Sequence, residues 1–163
     1  EQKAATSAIT LIQIFPEKEE MVKELAPIVT EEWAHFRMVL NELEKRNLKL
    51  GRQRKDEYVN NLQKFQLKGG NRKNWLTEKL LTCALIEARS CERFRLLSLE
   101  LADESLRNFY HKLMISEATH YRLFIDIAEQ YFEKEVVKSR WTEWLDEETR
   151  ILSTLELRGD RIH

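Results

Sequence analysis

A chain of 163 residues has the length of one domain with one sizeable core. With 4 Gly and 2 Pro, against about 12% for the pair in average proteins, it is too poor in turn residues for sandwiches, barrels or Gly-rich nucleotide folds. A hydrophobic share of 42% and a charged share of 34% suit neither a disordered nor a membrane-embedded chain, and a formal net charge of −1 argues against a general nucleic-acid binder.

Apolar residues recurring three and four apart predict five helices, four of them long. The first spans residues 1–15 and is stopped by Pro16; it opens already in helical pattern, so an N-terminal piece of it is expected to be missing. The second covers about residues 17–48, ends at Gly51, and is expected to kink at Pro27, where the Lys23 carbonyl loses its partner. The third runs from about Asn74, its N-cap, to Leu101, and the fourth from an Asp103 N-cap to about Phe132, so the turn between them is tight. A fifth, shorter helix spans about residues 139–157 and is expected to pack outside the main bundle. Residues 45–79, with Gly69-Gly70 near the middle, read as a long crossover. Two short hairpins joined by one long crossover predict an all-α, ferritin-like four-helix bundle with an extra C-terminal helix, in one domain over 1–163. The longest charge-free stretch, residues 4–16, is shorter than the ~18 apolar residues of a membrane span. Cys83 and Cys91 fall in one predicted helix and form neither a disulfide framework nor a zinc pattern, so a reducing cytoplasm is expected.

Each long helix interrupts its apolar stripe with one glutamate. The stripes read Glu1, Ala5, Ala8, Ile12, Phe15; Leu25, Ile28, Glu32, Phe36, Val39, Leu43; Leu80, Ala84, Glu87, Cys91, Phe94; and Leu113, Glu117, His120, Phe124, Ile127. His35 and His120 follow Glu32 and Glu117 by three residues. Four buried carboxylates without compensation would be forced to protonate, whereas two divalent cations balance them. One Glu from each of two helices plus Glu-x-x-His from each of two others is the di-iron or di-manganese carboxylate arrangement, here Glu1, Glu32, His35, Glu87, Glu117 and His120. Imidazole and carboxylate donors suit iron or manganese and supply no thiolate for a soft metal. Because 23 of the 163 residues are Glu, one Glu-x-x-His alone says little; two on core stripes, each with an inward Glu at matched distance upstream, say much more. His111, beside Lys112 and off the stripe, reads as solvated, and His163 is terminal. Cys83 and Cys91 read as small core residues, and Phe36, Phe94 and Phe124 as core that could also wall a pocket.

Charge is unevenly spread. Between Lys45 and Lys79 eleven basic residues stand against three acidic ones, a net +8, which leaves −9 on the rest. A basic crossover holding Arg52, Arg54, Lys55, Lys68, Arg72 and Lys73 could track RNA phosphates; the alternative is a solvated loop.

The stretches Ile86-Glu87-Ala88-Arg89-Ser90-Cys91-Glu92-Arg93-Phe94, Phe109-Tyr110-His111 and Ser116-Glu117-Ala118-Thr119-His120-Tyr121 closely resemble the MiaE family, bacterial tRNA hydroxylases acting on 2-methylthio-N6-isopentenyladenosine. Glu1-Gln2-Lys3-Ala4-Ala5 resembles that family's first-helix motif. The resemblance implies a non-haem di-iron monooxygenase that uses O2 to hydroxylate the isopentenyl group of the modified adenosine in tRNA. It implies the same six ligands, and an electron donor such as a ferredoxin or reductase. Arg89 and Glu92 belong to the motif as packing residues or an ion pair. The competing functions are a ferritin-like ferroxidase or peroxidase on the same ligands, and a helical scaffold whose polar pairs are merely hydrogen-bonded.

Overall fold

A computed structural model of the chain describes residues 1–52, 56–69 and 71–156, and among them all regular structure is helical. Six helices follow in order: α1 (Gln2–Ile14), α2 (Glu19–Lys45), α3 (Glu57–Phe65), α4 (Arg72–Glu100), α5 (Glu104–Tyr131) and α6 (Lys134–Thr154). The all-α class expected from the sequence is borne out. No helix among the described residues is long and apolar enough to cross a membrane. The chain forms two compact units, Glu1–Arg54 and Lys55–His163.

The first unit is the α1/α2 hairpin. Ala5, Ala8, Leu11 and Phe15 of its first arm are buried, as are Met21, Leu25, Ile28, Glu32 and Phe36 of α2. Each fully buried Leu or Phe contributes about 1.5–3 kcal/mol. Pro16 prevents α1 from continuing, and the Phe15 amide closes the last turn on the Leu11 carbonyl at 3.0 Å. Glu19 and Glu20 place negative charge on the first turn of α2, which runs unbroken through Pro27. It stops at Lys45, short of the expected Leu48. Asn47 takes the left-handed conformation (φ 55°), with Leu48 N–H donating to Leu43 O at 2.9 Å and Asn47 N–H to Glu44 O at 2.9 Å. That is a Schellman ending carried by asparagine, so Gly51 is not the terminator.

In the second unit α4 and α5 form the long antiparallel hairpin, turning at residues 101–103, with Asp103 accepting from Leu106 N–H at 3.1 Å as its sequence position predicts. The cap of α4 is Asn71, which accepts from Asn74 N–H at 2.9 Å, so the helix begins one turn earlier than expected. Within the expected loop lies α3, capped by Asp56 and burying Tyr58 and Leu62 one turn apart. Helix α6 begins at Lys134, five residues earlier than expected, and packs on α3, α4 and α5 through Val137, Arg140, Trp144 and Ile151.

Candidate metal centre

Each unit assembles half of the expected ligand set. In the first, Glu32 and His35 are one turn apart on α2, and the turn at residues 15–18 returns Glu1, the residue capping α1, to the same level. Glu1, Glu32 and His35 each offer a donor atom within 4.8 Å of the others. His35 Nδ1 lies 3.6 Å from Glu1 Oε2 and 3.9 Å from Glu32 Oε1. Glu32 is buried, and Glu1 and His35 are half-buried. Burial, the largest single influence, raises the Glu1 carboxyl pKa, but His35, the N-terminal charge and Glu32 together outweigh it and hold Glu1 below the usual carboxylate range. It is therefore ionised at neutral pH and suited to a cation.

In the second unit Glu87 from α4 and Glu117 and His120 from α5 come together, again with donor atoms within 4.8 Å of one another. All three are buried. Ser116 Oγ lies 3.4 Å from His120 Nε2, a contact the sequence reading did not single out. Cys83 and Cys91 sit one turn before and one turn after Glu87. Burial together with the Glu87 carboxylate pushes the Cys83 thiol up to about 12, and burial with Glu117 raises Cys91 as well. Both stay protonated at neutral pH and offer no thiolate. Each half-site is thus two carboxylates and one imidazole, a hard-to-borderline donor set that fits iron or manganese.

The remaining expected residues are dispersed. Phe36 is buried on α2, one turn after Glu32, with its ring 5.2 Å from that of the exposed Trp33. Phe124 is buried one turn after His120, and Phe94 is half-buried against Tyr110 at 5.6 Å. Arg52, Lys68, Arg72 and Lys73 are exposed, with Lys73 Nζ 5.1 Å from the centre of the Phe132 ring. Arg54, Lys55 and His163 lie outside the described residues. His111 is exposed, as a solvated residue should be. Arg89 and Glu92 form an ion pair at 2.5 Å. The reading from sequence missed a buried pair, Arg140 with Glu78.

An all-α chain of this helix order, carrying two carboxylate–histidine half-sites, is a protein of the ferritin-like class. In fold it is similar to a solved Synechococcus protein with aldehyde deformylating oxygenase activity, with a TM-score of 0.89 and 29% identity over 96% of this chain and 77% of that one. The family model described as tRNA-(MS[2]IO[6]A)-hydroxylase (MiaE) matches residues 1–163, and the chain belongs to that family. It is 34% identical over 131 residues to the tRNA 2-(methylsulfanyl)-N(6)-isopentenyladenosine(37) hydroxylase of Pseudomonas putida, covering 80% of this chain and 62% of the relative. It is 35% identical over 113 residues to the Salmonella typhimurium protein of the same name, covering 68% of this chain and 40% of the relative. The alignments therefore span less than two thirds of either curated relative.

Proposed function

We propose that this chain is the metal-bearing domain, residues 1–163, of an O2-dependent non-haem di-iron monooxygenase that hydroxylates the isopentenyl group of 2-methylthio-N6-isopentenyladenosine in tRNA. The observation that carries the reading is the doubled half-site, Glu1 with Glu32-x-x-His35 and Glu87 with Glu117-x-x-His120, in a chain of this family. The six side chains together would hold two iron ions, with manganese the other metal their chemistry admits. When bound, the ions supply the activation of O2 needed to oxidise an unactivated carbon.

The chain's residues supply charge balance, shielding from water and substrate contacts. Four carboxylates offset the charge of two divalent cations, so neither charge is left uncompensated by burial. The buried setting of Glu32, Glu87, Glu117 and His120 keeps bulk water from the reacting centre. Ser116 Oγ, 3.4 Å from His120 Nε2, would accept from Nε2–H in the tautomer that leaves Nδ1 as the metal donor. Phe36, one turn after Glu32, and Phe124, one turn after His120, are assigned as apolar surface for the isopentenyl tail, and Phe94, two turns from Glu87, as a contact nearer the base. Arg52, Lys68, Arg72 and Lys73, with Arg54 and Lys55, track tRNA phosphates as point charges that position the RNA without reading its sequence. Each turnover takes two electrons, which we assign to a separate donor such as a ferredoxin or reductase, in the cytoplasm.

O2 uptake by the ferrous protein tests this reading. Uptake coupled to isopentenyladenosine-bearing tRNA, and not to the same tRNA lacking the modification, is the expected result. Equal uptake on added ferrous iron or peroxide without RNA would instead mark a ferroxidase or peroxidase.

A further inference from the structure

The α4/α5 hairpin repeats its own register. Glu87 and Glu117 meet across it, and Phe94 and Tyr110 meet across it seven residues further along each helix, with ring centroids 5.6 Å apart and planes 31° apart. Cys91 Sγ against the Met114 carbonyl at 3.5 Å marks the level between them. Seven residues are two helical turns, so the ring pair lies about 10.5 Å along the hairpin from the half-site and on the same stripe. Phe109 meets Tyr110 edge-on, 5.3 Å between centroids at 74°, and so fixes the plane of the Tyr110 ring. All three rings are half-buried, which leaves aromatic surface available in a hairpin whose neighbouring stripe positions, Leu113 and Glu117, are closed.

We propose that Phe94 and Tyr110, propped by Phe109, form the stacking platform for the purine base of the substrate. This rests on the function proposed above and adds the residues that place the nucleoside. A base seated there directs its N6 substituent along the hairpin past the half-buried Cys91, toward Glu87, Glu117 and His120. The span of about two turns matches a purine ring followed by a five-carbon branched tail. Stacking suits this role because every base presents a π-face, so the platform holds the nucleoside while the apolar stripe beyond it selects the prenyl group. Phe94 and Tyr110 are positioning residues, since neither lies at the reacting carbon.

The test uses the iron-loaded chain with an anticodon stem-loop carrying isopentenyladenosine. Phe94→Leu and Tyr110→Leu keep apolar volume and remove the π-face, whereas Tyr110→Phe keeps the ring. KM is expected to rise about ten- to a hundredfold in each leucine variant and to stay within about threefold of wild type in Tyr110→Phe, with iron content retained throughout. Unchanged KM in the leucine variants overturns the platform, as does Tyr110→Phe failing as badly as Tyr110→Leu, or loss of iron that shows the rings only hold the hairpin together. Wild-type protein that hydroxylates no isopentenyladenosine overturns the proposed function and the platform with it, and that outcome is read without any variant.

Discussion

The guanidinium of Arg140 lies against the carboxylate of Glu78 inside the second unit, Nε to Oε1 at 2.7 Å and Nη2 to Oε2 at 2.8 Å. The pair ties α6 to α4 and reaches α3 as well. Arg140 lies over the rings of Phe65 (4.5 Å) and Trp144 (5.4 Å), and Glu78 Oε2 also accepts from Leu67 N–H at 3.2 Å. The bidentate geometry and the hydrogen bonds around it offset the desolvation of both charges, so the cost falls on whichever variant removes one partner. Arg140→Ala is expected to lose about 3–5 kcal/mol, and the double replacement Glu78→Leu/Arg140→Met to recover most of it. Thermal unfolding followed by circular dichroism at fixed iron loading checks this; a midpoint unchanged in Arg140→Ala would contradict it.

Ser116 stands behind His120 at 3.4 Å, where its removal should affect iron affinity rather than folding. Removing a group that orients a ligating imidazole commonly costs about 10- to 100-fold in metal affinity. Ser116→Ala should fall at the lower end of that range, because the hydrogen bond is long, and Ser116→Thr should retain the oxygen and most of the affinity. Anaerobic ferrous titration of the three proteins reads the difference directly.

The two cysteines should differ from free thiols in a defined direction. Burial and a neighbouring glutamate raise both, Cys83 to about 12, so less thiolate is present at any given pH. Alkylation by iodoacetamide at pH 8 is expected to be slower at both than in the unfolded chain, and slowest at Cys83. The same shift affects stability. A thiol raised on folding contributes fully below its unfolded pKa, and the contribution is lost as pH climbs from there toward 12. Rapid labelling of Cys83 in the folded protein at pH 8 would contradict the raised thiol pKa on which this rests.

RNA binding along the proposed phosphate track depends on exposed charge. Arg72 and Lys73 lie in the first turn of α4, and reversing both to glutamate should weaken tRNA binding for modified and unmodified RNA alike. The slope of log affinity against log salt should become shallower by about 0.7–0.9 for each phosphate that the variant no longer neutralises. A titration at several salt concentrations separates this from impaired base recognition, which would leave the slope unchanged.

Most of the fold and the half-sites was legible because a charged residue inside a 3.6-residue apolar stripe is conspicuous. Glu32, Glu87 and Glu117 each interrupt such a stripe, and each is buried. What remained hidden had no such contrast. Arg140 reads as surface from sequence alone, since its partner Glu78 is 62 residues away and only packing brings them together. Helix α3 is nine residues long, too short for its Tyr58–Leu62 spacing to stand out within a basic, glycine-flanked loop. The end of α2 was misplaced because asparagine, like glycine, can adopt positive φ, and Asn47 comes first. Of the eleven basic residues between Lys45 and Lys79, Lys45 and Arg46 pair with Glu42, a neighbour outside that stretch, and neither belongs to the proposed phosphate track.

The proposed reaction is hydroxylation of a prenylated nucleoside in tRNA. Nucleoside mass analysis of isopentenyladenosine-bearing tRNA, after incubation with iron-loaded protein, O2 and a chemical reductant, tests it most directly, beside a Glu117→Ala control. The expected result is the gain of one oxygen atom on that nucleoside with wild-type protein and none with the variant. An unmodified nucleoside from protein that holds two irons per chain, or the same gain in both samples, would contradict it.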